Sequence, residues 1–212
     1  MSVYDKNGEL NQEAIDVLYE LGNVGVATAV MPIGNMREIK ISVDIPEVVT
    51  VEKDLLSEIS YDPEQIVVSV ATKMNDTLSG TILFLLSKDF IKNTIYEMTE
   101  MEFSDEELLT DADSFSALQE IINYMTAGYA KVMGAYLNIP VYISDITIGL
   151  DKVSSIVEGI VEKSQKKMEK LAYVNTRFAR KDDAGNSSNE FGQVLMFPDQ
   201  QCIEKFIEIM ED

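Results

Sequence analysis

The chain contains the stretch Asp16-Val-Leu-Tyr-Glu20-Leu-Gly-Asn23 and, 100 residues later, the stretch Ser116-Ala-Leu-Gln-Glu120-Ile-Ile-Asn123. Each stretch has an acidic or hydroxyl side chain, a glutamate four residues later and an asparagine three residues after that. A protein core tolerates exchange of one apolar residue for another, so a repeated leucine carries little information. A repeated polar triplet at fixed spacing is harder to explain by packing, and it indicates two copies of one surface site.

Helical geometry places the three polar positions of each stretch on one face. With about 100° per residue, the first, fifth and eighth positions fall within a sector of roughly 60°. Apolar and small residues occupy the opposite side of both stretches. We therefore predict two amphipathic helices, each with a buried face and an exposed polar stripe. The first stripe consists of Asp16, Glu20 and Asn23, and the second stripe consists of Ser116, Glu120 and Asn123.

Composition limits the class of protein. The chain has 212 residues, of which 46% are hydrophobic, enough for one domain or two tightly fused halves. The formal charge of −20 opposes binding to nucleic acid and to an anionic membrane surface. The apolar run from Leu78 to Ser87 is far too short to cross a bilayer, and the first residues lack the character of a signal peptide. We therefore expect a soluble, cytoplasmic protein without nucleic-acid or membrane partners.

The scarcity of reactive side chains limits the chemistry. Histidine is absent, and the single cysteine, Cys202, excludes an intrachain disulfide framework and a cysteine metal cluster. Because Cys202 lies in an apolar-periodic segment, we expect it to pack in the core. Most nucleophilic and general-base schemes lose their usual residues in such a chain. We therefore predict no metal site and no cofactor of its own.

The likeness between the halves extends beyond the stripes. Gly80 and Gly192 each precede an apolar run that indicates a buried strand, and an Ile-Ile-Met pattern at helical spacing begins eleven positions after each glycine. Each half thus reads as a helix, a strand, a variable middle, two strands and a closing helix. The strands are expected near residues 38–50, 65–73 and 78–87 in one half and near 139–150, 170–179 and 191–197 in the other.

The segments between these elements differ more. Apolar spacing predicts a helix over about 151–168 and a shorter counterpart over 52–59. Residues 181–190 are rich in turn formers, which predicts an exposed hairpin loop. Residues 100–113 hold seven acids among fourteen positions, which predicts a solvated linker that ends in a helix N-cap at Asp113 or Ser114.

These elements predict an α+β fold. Two pseudo-symmetric repeats of about 100 residues share a roughly six-stranded sheet, with two long motif-bearing helices and further helices packed on one or both faces. We expect a single domain over 1–212, with repeat one at about 11–100 and repeat two at about 113–211.

The stripes themselves allow a limited chemistry. An exposed glutamate is a weak base near neutral pH, whereas an asparagine amide can donate one hydrogen bond and accept another. Such an amide can hold a water in line with an electrophile that is activated elsewhere, for example an acyl phosphate bound to Mg²⁺ on a partner protein. The glutamates then serve as docking charges for a partner lysine. A merely solvated helix face, or a duplicated scaffold without retained function, explains the same residues and stays open.

The residues around the first stripe resemble the signature of the CheC/CheX/FliY phosphatases of bacterial and archaeal chemotaxis. That signature is Asp or Ser, three residues, Glu, two residues, Asn, and then 22 residues before a Pro. The first stripe matches in full, because 22 residues separate Asn23 from Pro46. The second stripe matches as well, but Ile146 stands where the proline is expected. Since that proline shapes a turn and not the chemistry, we expect the second site to be competent.

The resemblance covers nearly the whole chain and implies a function. It implies a phosphatase that acts on a phosphorylated CheY-type response regulator, whose Mg²⁺ belongs to the regulator. In this family the asparagine orients the attacking water and the glutamate contacts the regulator. The implied catalytic residues are Glu20, Asn23, Glu120 and Asn123, and the supporting residues are Asp16, Ser116 and Pro46.

The resemblance also bears on partners and on the type of family member. It implies CheD, a receptor glutamine deamidase, as a second partner. Two Glu/Asn pairs favour a CheC-like protein over the CheX type, which keeps one pair and dimerises. The end of the chain at Asp212, with no flagellar-switch domain appended, favours a stand-alone protein over the FliY type, and we expect a monomer. The alternative function is a non-catalytic module that docks a response regulator or CheD.

Overall fold

The computed structural model describes residues 3–36, 40–52, 62–75, 78–164, 170–181 and 187–211. Its helices are α1 (Gln12–Met36), α2 (Lys88–Thr99), α3 (Ala112–Leu137), α4 (Val153–Ser164) and α5 (Gln200–Glu211). Its strands are β1 (Ile41–Val43), β2 (Glu47–Glu52), β3 (Ile66–Asn75), β4 (Gly80–Ser87), β5 (Tyr142–Lys152), β6 (Lys170–Lys181) and β7 (Ser187–Pro198). Apart from Glu52, which lies in β2, the short helix expected over 52–59 falls outside the described residues, as does the centre of the expected hairpin loop, 182–186.

One antiparallel sheet joins the two halves of the chain. Its order is β1-β6-β7-β4-β3-β5, and β2 also pairs with β6. The centre is the β4–β7 pair, in which Leu83 lies opposite Leu195. The first strands cross over, because β1 and β2 pair with β6 whereas β5 pairs with β3. The first half of the chain therefore supplies the edge strands β1 and β2 beside β6 of the second half. The second half supplies the edge strand β5 beside β3 of the first half.

The sheet has seven strands among the described residues, not the six that we expect from the sequence. The single strand expected over 38–50 is interrupted at residues 44–46, where Pro46 has no N–H to donate to the ladder. The corresponding strand β5 is continuous, because Ile146 retains its N–H. Its register on β3 nevertheless shifts beside Asp145, whose φ is 56°. Both edge strands are thus irregular at the same point.

Helices cover both faces of the sheet. The larger core lies under α1, α2, α3 and α5, and the smaller core lies under α4. Successive side chains of β4 point to opposite faces of the sheet and therefore belong alternately to the two cores. Ile82, Phe84 and Leu86 belong to the larger core, whereas Leu83 and Leu85 belong to the smaller one. The sheet is therefore buried on both sides at its centre, as the apolar run of β4 predicts.

The helices α1 and α3 pack closely through small residues. A Cβ added to Gly25 would lie 2.7 Å from the Tyr129 ring, and one added to Gly128 would lie 3.1 Å from the Thr28 carbonyl oxygen. The side of α1 that carries small residues therefore lies against α3. Cys202 is buried in the same core, as expected.

The acidic segment that precedes α3 is folded against the protein and is not a solvated linker. Leu108 is fully buried, and Asp105 forms ion pairs with Lys88 and with Lys92 of α2, the latter at 2.6 Å. The number of acidic residues in a segment does not reveal such contacts, because one carboxylate can form ion pairs with two lysines while the neighbouring acidic side chains remain in water.

The N-cap of α3 lies earlier than the sequence predicts. The carboxylate of Asp111 accepts hydrogen bonds from the N–H groups of Asp113 and Ser114, at 2.9 and 3.0 Å. The prediction of Asp113 or Ser114 as the cap is therefore wrong. Ser114 is instead buried, and its hydroxyl donates to the Leu108 carbonyl at 3.2 Å. Asp111, Asp113 and Ser114 are all residue types that can cap a helix, so tertiary contacts such as the burial of Ser114 decide which of them is the N-cap.

One described helix is long enough to cross a membrane. Gln12–Asn35 of α1 has the length and the apolar composition of a membrane-spanning helix. The expectation that no segment crosses a bilayer rests on the run Leu78–Ser87 and does not take this helix into account. Half of the apolar window is buried inside the protein. The side chains of Leu18, Leu21 and Ala29, on the inner face of α1, are fully buried, for example. Packing in the core accounts for the apolar character of this helix.

Candidate functional site

The first stripe lies on the exposed face of α1. All three of its side chains are exposed, while the apolar residues between them are buried. Asp16 accepts a hydrogen bond from Gln12 Nε2 at 2.7 Å. Burial raises the pKa of Tyr136 of α3, and the nearby carboxylate of Glu20 raises it further. Tyr136 of the other helix is therefore within electrostatic reach of the glutamate of the first stripe.

The second stripe is exposed in the same way on α3. The Tyr124 hydroxyl donates to Glu120 Oε1 at 3.2 Å, and Tyr124 is itself 41% exposed. The Ser116 hydroxyl donates to the Ala112 carbonyl at 2.8 Å, within the first turn of the helix. The glutamate of each stripe thus has a tyrosine neighbour, but only the second stripe draws it from its own helix.

The two stripes lie apart from each other on adjacent helices. Because Gly25 faces Tyr129 and Thr28 faces Gly128, α1 and α3 run antiparallel. Asn23 is then level with the part of α3 about nine residues beyond Asn123, which corresponds to roughly 14 Å along the helix axis. This distance is too large for both asparagines to act on one phosphoryl group. The arrangement can accommodate two independent reactions.

Pro46 lies against α1 at Gly22, the residue that precedes the asparagine of the first stripe. A Cβ added to Gly22 would lie 3.0 Å from Pro46 Cβ and 2.6 Å from Val174 Cγ1. The glycine therefore allows the sheet to approach the helix at this point. In α3 the corresponding residue is the buried Ile122, and Ile146, at the position of the proline, is 42% exposed. The two helices are thus supported differently beneath otherwise similar stripes.

The two tyrosines are not among the site residues that we predict from the sequence. Tyr124 could be found from the sequence, because it follows Glu120 by four residues and side chains at that spacing meet on a helix. Tyr136 gives no such signal, since it meets Glu20 only through the packing of α3 on α1. The contact of Pro46 with Gly22 likewise joins residues that only the fold brings together.

The geometry supports docking and positioning. Exposed carboxylates can attract a cationic side chain of a partner, and an exposed amide can both donate to and accept from a water molecule. Among the residues that the structure describes, no group of three or more potential metal-ligating side chains comes together.

Comparison with known proteins shows what the chain is similar to. No family model matches the chain. The chain is 25% identical over 210 residues to the CheY-P phosphatase CheC of Bacillus subtilis (strain 168), across 97% of this chain and 96% of that protein. The crystal structure of Thermotoga maritima FliY matches with a TM-score of 0.66 at 18% identity, across 95% of this chain and 98% of the other. The chain is therefore similar to CheC-like proteins in sequence and in fold.

A further solved structure supports the same fold. A CheC-like superfamily protein from Shewanella sp. PV-4 matches with a TM-score of 0.56 at 11% identity, across 90% of this chain and 99% of that one. Because these matches span nine-tenths or more of the chain, its mixed α/β architecture with a large antiparallel sheet is the CheC-like fold.

Proposed function

We propose that this CheC-like chain hydrolyses the aspartyl phosphate of a CheY-type response regulator in chemotaxis. The observation that carries the proposal is the pair of exposed Glu/Asn stripes on adjacent helices. The similarity to a protein named as a CheY-P phosphatase supports the choice of substrate. Asn23 and Asn123 orient the attacking water, and Glu20 and Glu120 contact the regulator.

The proposed reaction needs little chemistry from the chain itself. Water attacks phosphorus from the side opposite the aspartyl oxygen, and the bond between phosphorus and that oxygen breaks. The products are inorganic phosphate and the free aspartate carboxylate of the regulator. The asparagine amide holds the water by one donated and one accepted hydrogen bond, which lowers the entropy cost of attack. The Mg²⁺ that stabilises the phosphoryl oxygens belongs to the regulator, which is the substrate.

We also propose that residues 1–212 form one domain of two repeats, at about 11–100 and 113–211. Strand register supports the duplication. Ala71 pairs with Thr147 in the same way as Asn175 pairs with Glu47, with offsets of 104 and 100 residues between corresponding positions. The duplication gives the domain two copies of the site, one on α1 and one on α3.

Net charge and the resemblance to CheC-like proteins bear on the partners, the oligomeric state and the location of the protein. The net charge of −20 favours a partner that presents a basic patch, because opposite charges accelerate encounter. We propose that the chain works as a cytoplasmic monomer and that CheD is a second partner. Neither proposal changes the roles of the two stripes.

The test of the proposed function is dephosphorylation of a phosphorylated receiver domain. The chain is mixed with the cognate chemotaxis regulator, labelled with phosphate and supplied with Mg²⁺, and release of inorganic phosphate is followed. The expected result is faster release than the regulator shows alone. An unchanged rate with a regulator that demonstrably binds the chain would refute the enzymatic proposal.

The second candidate is a docking module without hydrolysis. The exposed acidic side chains favour it, because they can hold a basic partner even when no water is positioned. In a docking module, substitution of the stripe asparagines lowers affinity and leaves the lifetime of the phosphorylated regulator unchanged. In a phosphatase, the same substitutions lower turnover while binding persists.

A further inference from the structure

A cleft of about 580 Å³ lies between α4 and the strands β3 and β5. It opens on the α4 face of the sheet, opposite the face that carries α1 and α3. Small residues line its floor, namely Ser69, Ala71, Thr147 and Gly149. This volume falls within the range of pockets that hold small molecules.

Strand register shows why the cleft exists. Ser69 pairs with Gly149 on β5, while Tyr173 of β6 pairs with Val49 of β2 at the corresponding place in the other half of the sheet. A tyrosine and a valine there stand in place of a serine and a glycine. The ring of Tyr173 also packs against Phe197, with 5.8 Å between ring centroids.

A polar network fills the rest of that corresponding place. Asn175 donates to Glu47 Oε2 at 3.3 Å, and Gln193 donates to Asn175 Oδ1 at 2.8 Å. Asn175 and Gln193 are buried, with 4% and 6% of their surface exposed. At the positions of Asn175 and Gln193 the cleft has Ala71 and Thr81, which are too short to make such a network. Short side chains therefore leave space in the cleft where longer side chains stand at the corresponding described positions of the other half.

The charges of the lining indicate what the cleft binds. Lys73 is paired with Asp145 at 3.2 Å, so its charge is compensated at the rim. Asp151 supplies a second carboxylate, and the adjacent Lys152 is paired with Glu64 at 2.5 Å. Among the lining residues that the structure describes, negative charges therefore outnumber positive charges by one. Hydroxyl groups on the floor can accept hydrogen bonds from an ammonium or a guanidinium.

We propose that this cleft binds a small organic cation, an amine or a guanidine with a short apolar body. The cationic end lies near Asp151, and the apolar body lies against Ala71 and Ile156 of α4. The site is separate from the two stripes, because the sheet stands between them. Binding there therefore does not depend on the phosphatase function.

The test is a titration of the full chain with agmatine, which carries an amine and a guanidine, followed through backbone amide signals by NMR. The expected result is saturable shifts at Ala71, Gly149 and Gly159. The compound 4-guanidinobutanoate, in which a carboxylate replaces the amine, should bind more weakly. Asp151→Asn should weaken agmatine binding roughly tenfold, because a charged hydrogen bond is lost.

Two variants separate specific binding from general attraction to an acidic protein. Glu158→Gln removes one exposed negative charge from α4 outside the lining, so it should leave agmatine affinity unchanged. Ala71→Asn introduces the residue found at the corresponding place in the other half and should remove binding, provided that thermal unfolding shows a folded protein. If Ala71→Asn does not fold, the comparison of Asp151→Asn with Glu158→Gln decides the question, since both positions are exposed.

Three results would overturn the proposal. One is the absence of saturable shifts at tens of millimolar agmatine. Another is a set of shifts spread over the acidic surface, and the last is equal weakening by Asp151→Asn and Glu158→Gln. A variant with both Asn23→Ala and Asn123→Ala should bind agmatine as the unaltered chain does. Loss of agmatine binding can therefore be told apart from loss of phosphatase activity.

Discussion

Gly22 is the residue at which the helix of the first stripe meets the sheet. A Cβ at this position would lie 2.6 Å from Val174 Cγ1 and 3.0 Å from Pro46 Cβ. Gly22→Ala improves helix propensity by about 1 kcal/mol, but overpacking costs about 1–3 kcal/mol. We expect a net loss of about 1 kcal/mol in the free energy of unfolding, measured by chemical denaturation.

Gly159 of α4 is the matched control for this substitution. A Cβ there would meet no atom within 4 Å among the described residues outside its own stretch of helix, so helix propensity is the main change. Gly159→Ala should therefore stabilise the protein by up to about 1 kcal/mol. If both alanine variants stabilised the protein equally, the close approach of the sheet at Gly22 would be wrong.

Cys202 should be unreactive in the folded protein. Burial is the main cause that raises the pKa of its thiol to about 12, with Asp199 adding to it and a backbone hydrogen bond at Ser79 opposing it. Only the thiolate reacts, so alkylation by iodoacetamide at pH 8 should be at least about a hundredfold slower than in the unfolded chain. Mass spectrometry of the labelled protein measures this rate. Rapid labelling under conditions where the protein is folded would contradict the burial of the thiol.

The same thiol contributes a pH dependence to stability. Its pKa is higher in the folded state than in the unfolded state, so the folded protein holds the proton more tightly. The stability that results is fully present below the unfolded pKa of about 8.5 and is lost as pH rises toward the folded value.

At the scale of elements, the segment 100–111 is held on α2 by one carboxylate. Hydrogen bonds from Lys88 and then from Lys92 lower the pKa of Asp105 below its usual value. The stability that this pair of contacts supplies is present above the unfolded pKa and is lost as pH falls through the folded one. Asp105→Asn should therefore lower the free energy of unfolding at neutral pH, and the difference from the unaltered chain should vanish in acid.

An exposed acid of the same segment provides the control. Glu102→Gln changes the net charge by the same amount as Asp105→Asn, but Glu102 is exposed. Surface charges of this kind contribute little to stability, so the variant should unfold as the unaltered chain does at every pH. Equal effects of the two substitutions would show that net charge and not the contact with α2 is responsible.

Local sequence predicts some elements well and others poorly. The periodicity around Leu18 and Leu118 predicts the two long helices, because burial of one helix face is a local pattern. The interruption of the first edge strand at Pro46 is visible in the sequence only as a missing N–H. The burial of Leu108 is not visible at all, since it depends on the packing of its segment in the larger core.

The candidate site shows the same division. The spacing of Glu20 and Asn23 fixes their common face, and the structure places both side chains in solvent as expected. The contact of Gly22 with Pro46 and the approach of Tyr136 to Glu20 depend on packing between distant segments. Exposed residues on one helix can therefore be identified from sequence, whereas the groups that surround them require the fold.

At the scale of the whole molecule, the two stripes should work independently. Their asparagines are roughly 14 Å apart along the axes of antiparallel helices, and a different tyrosine lies near the glutamate of each stripe. Asn23→Ala and Asn123→Ala should each leave part of the rate of phosphate release from the regulator. Asn93→Ala, on the exposed side of α2, is the matched control and should leave the full rate. Complete loss of activity in one folded single variant would show that only one stripe is active.

The central claim is that the asparagines position water on a bound regulator. It is tested most directly by the rate of phosphate loss from the phosphorylated regulator when a saturating excess of the chain is present. The variant with Asn23→Ala and Asn123→Ala together should lower this saturated rate by roughly two orders of magnitude while its affinity for the regulator stays within about twofold. An unchanged saturated rate, with weaker binding as the only effect, would contradict the claim and leave the stripes as docking surfaces.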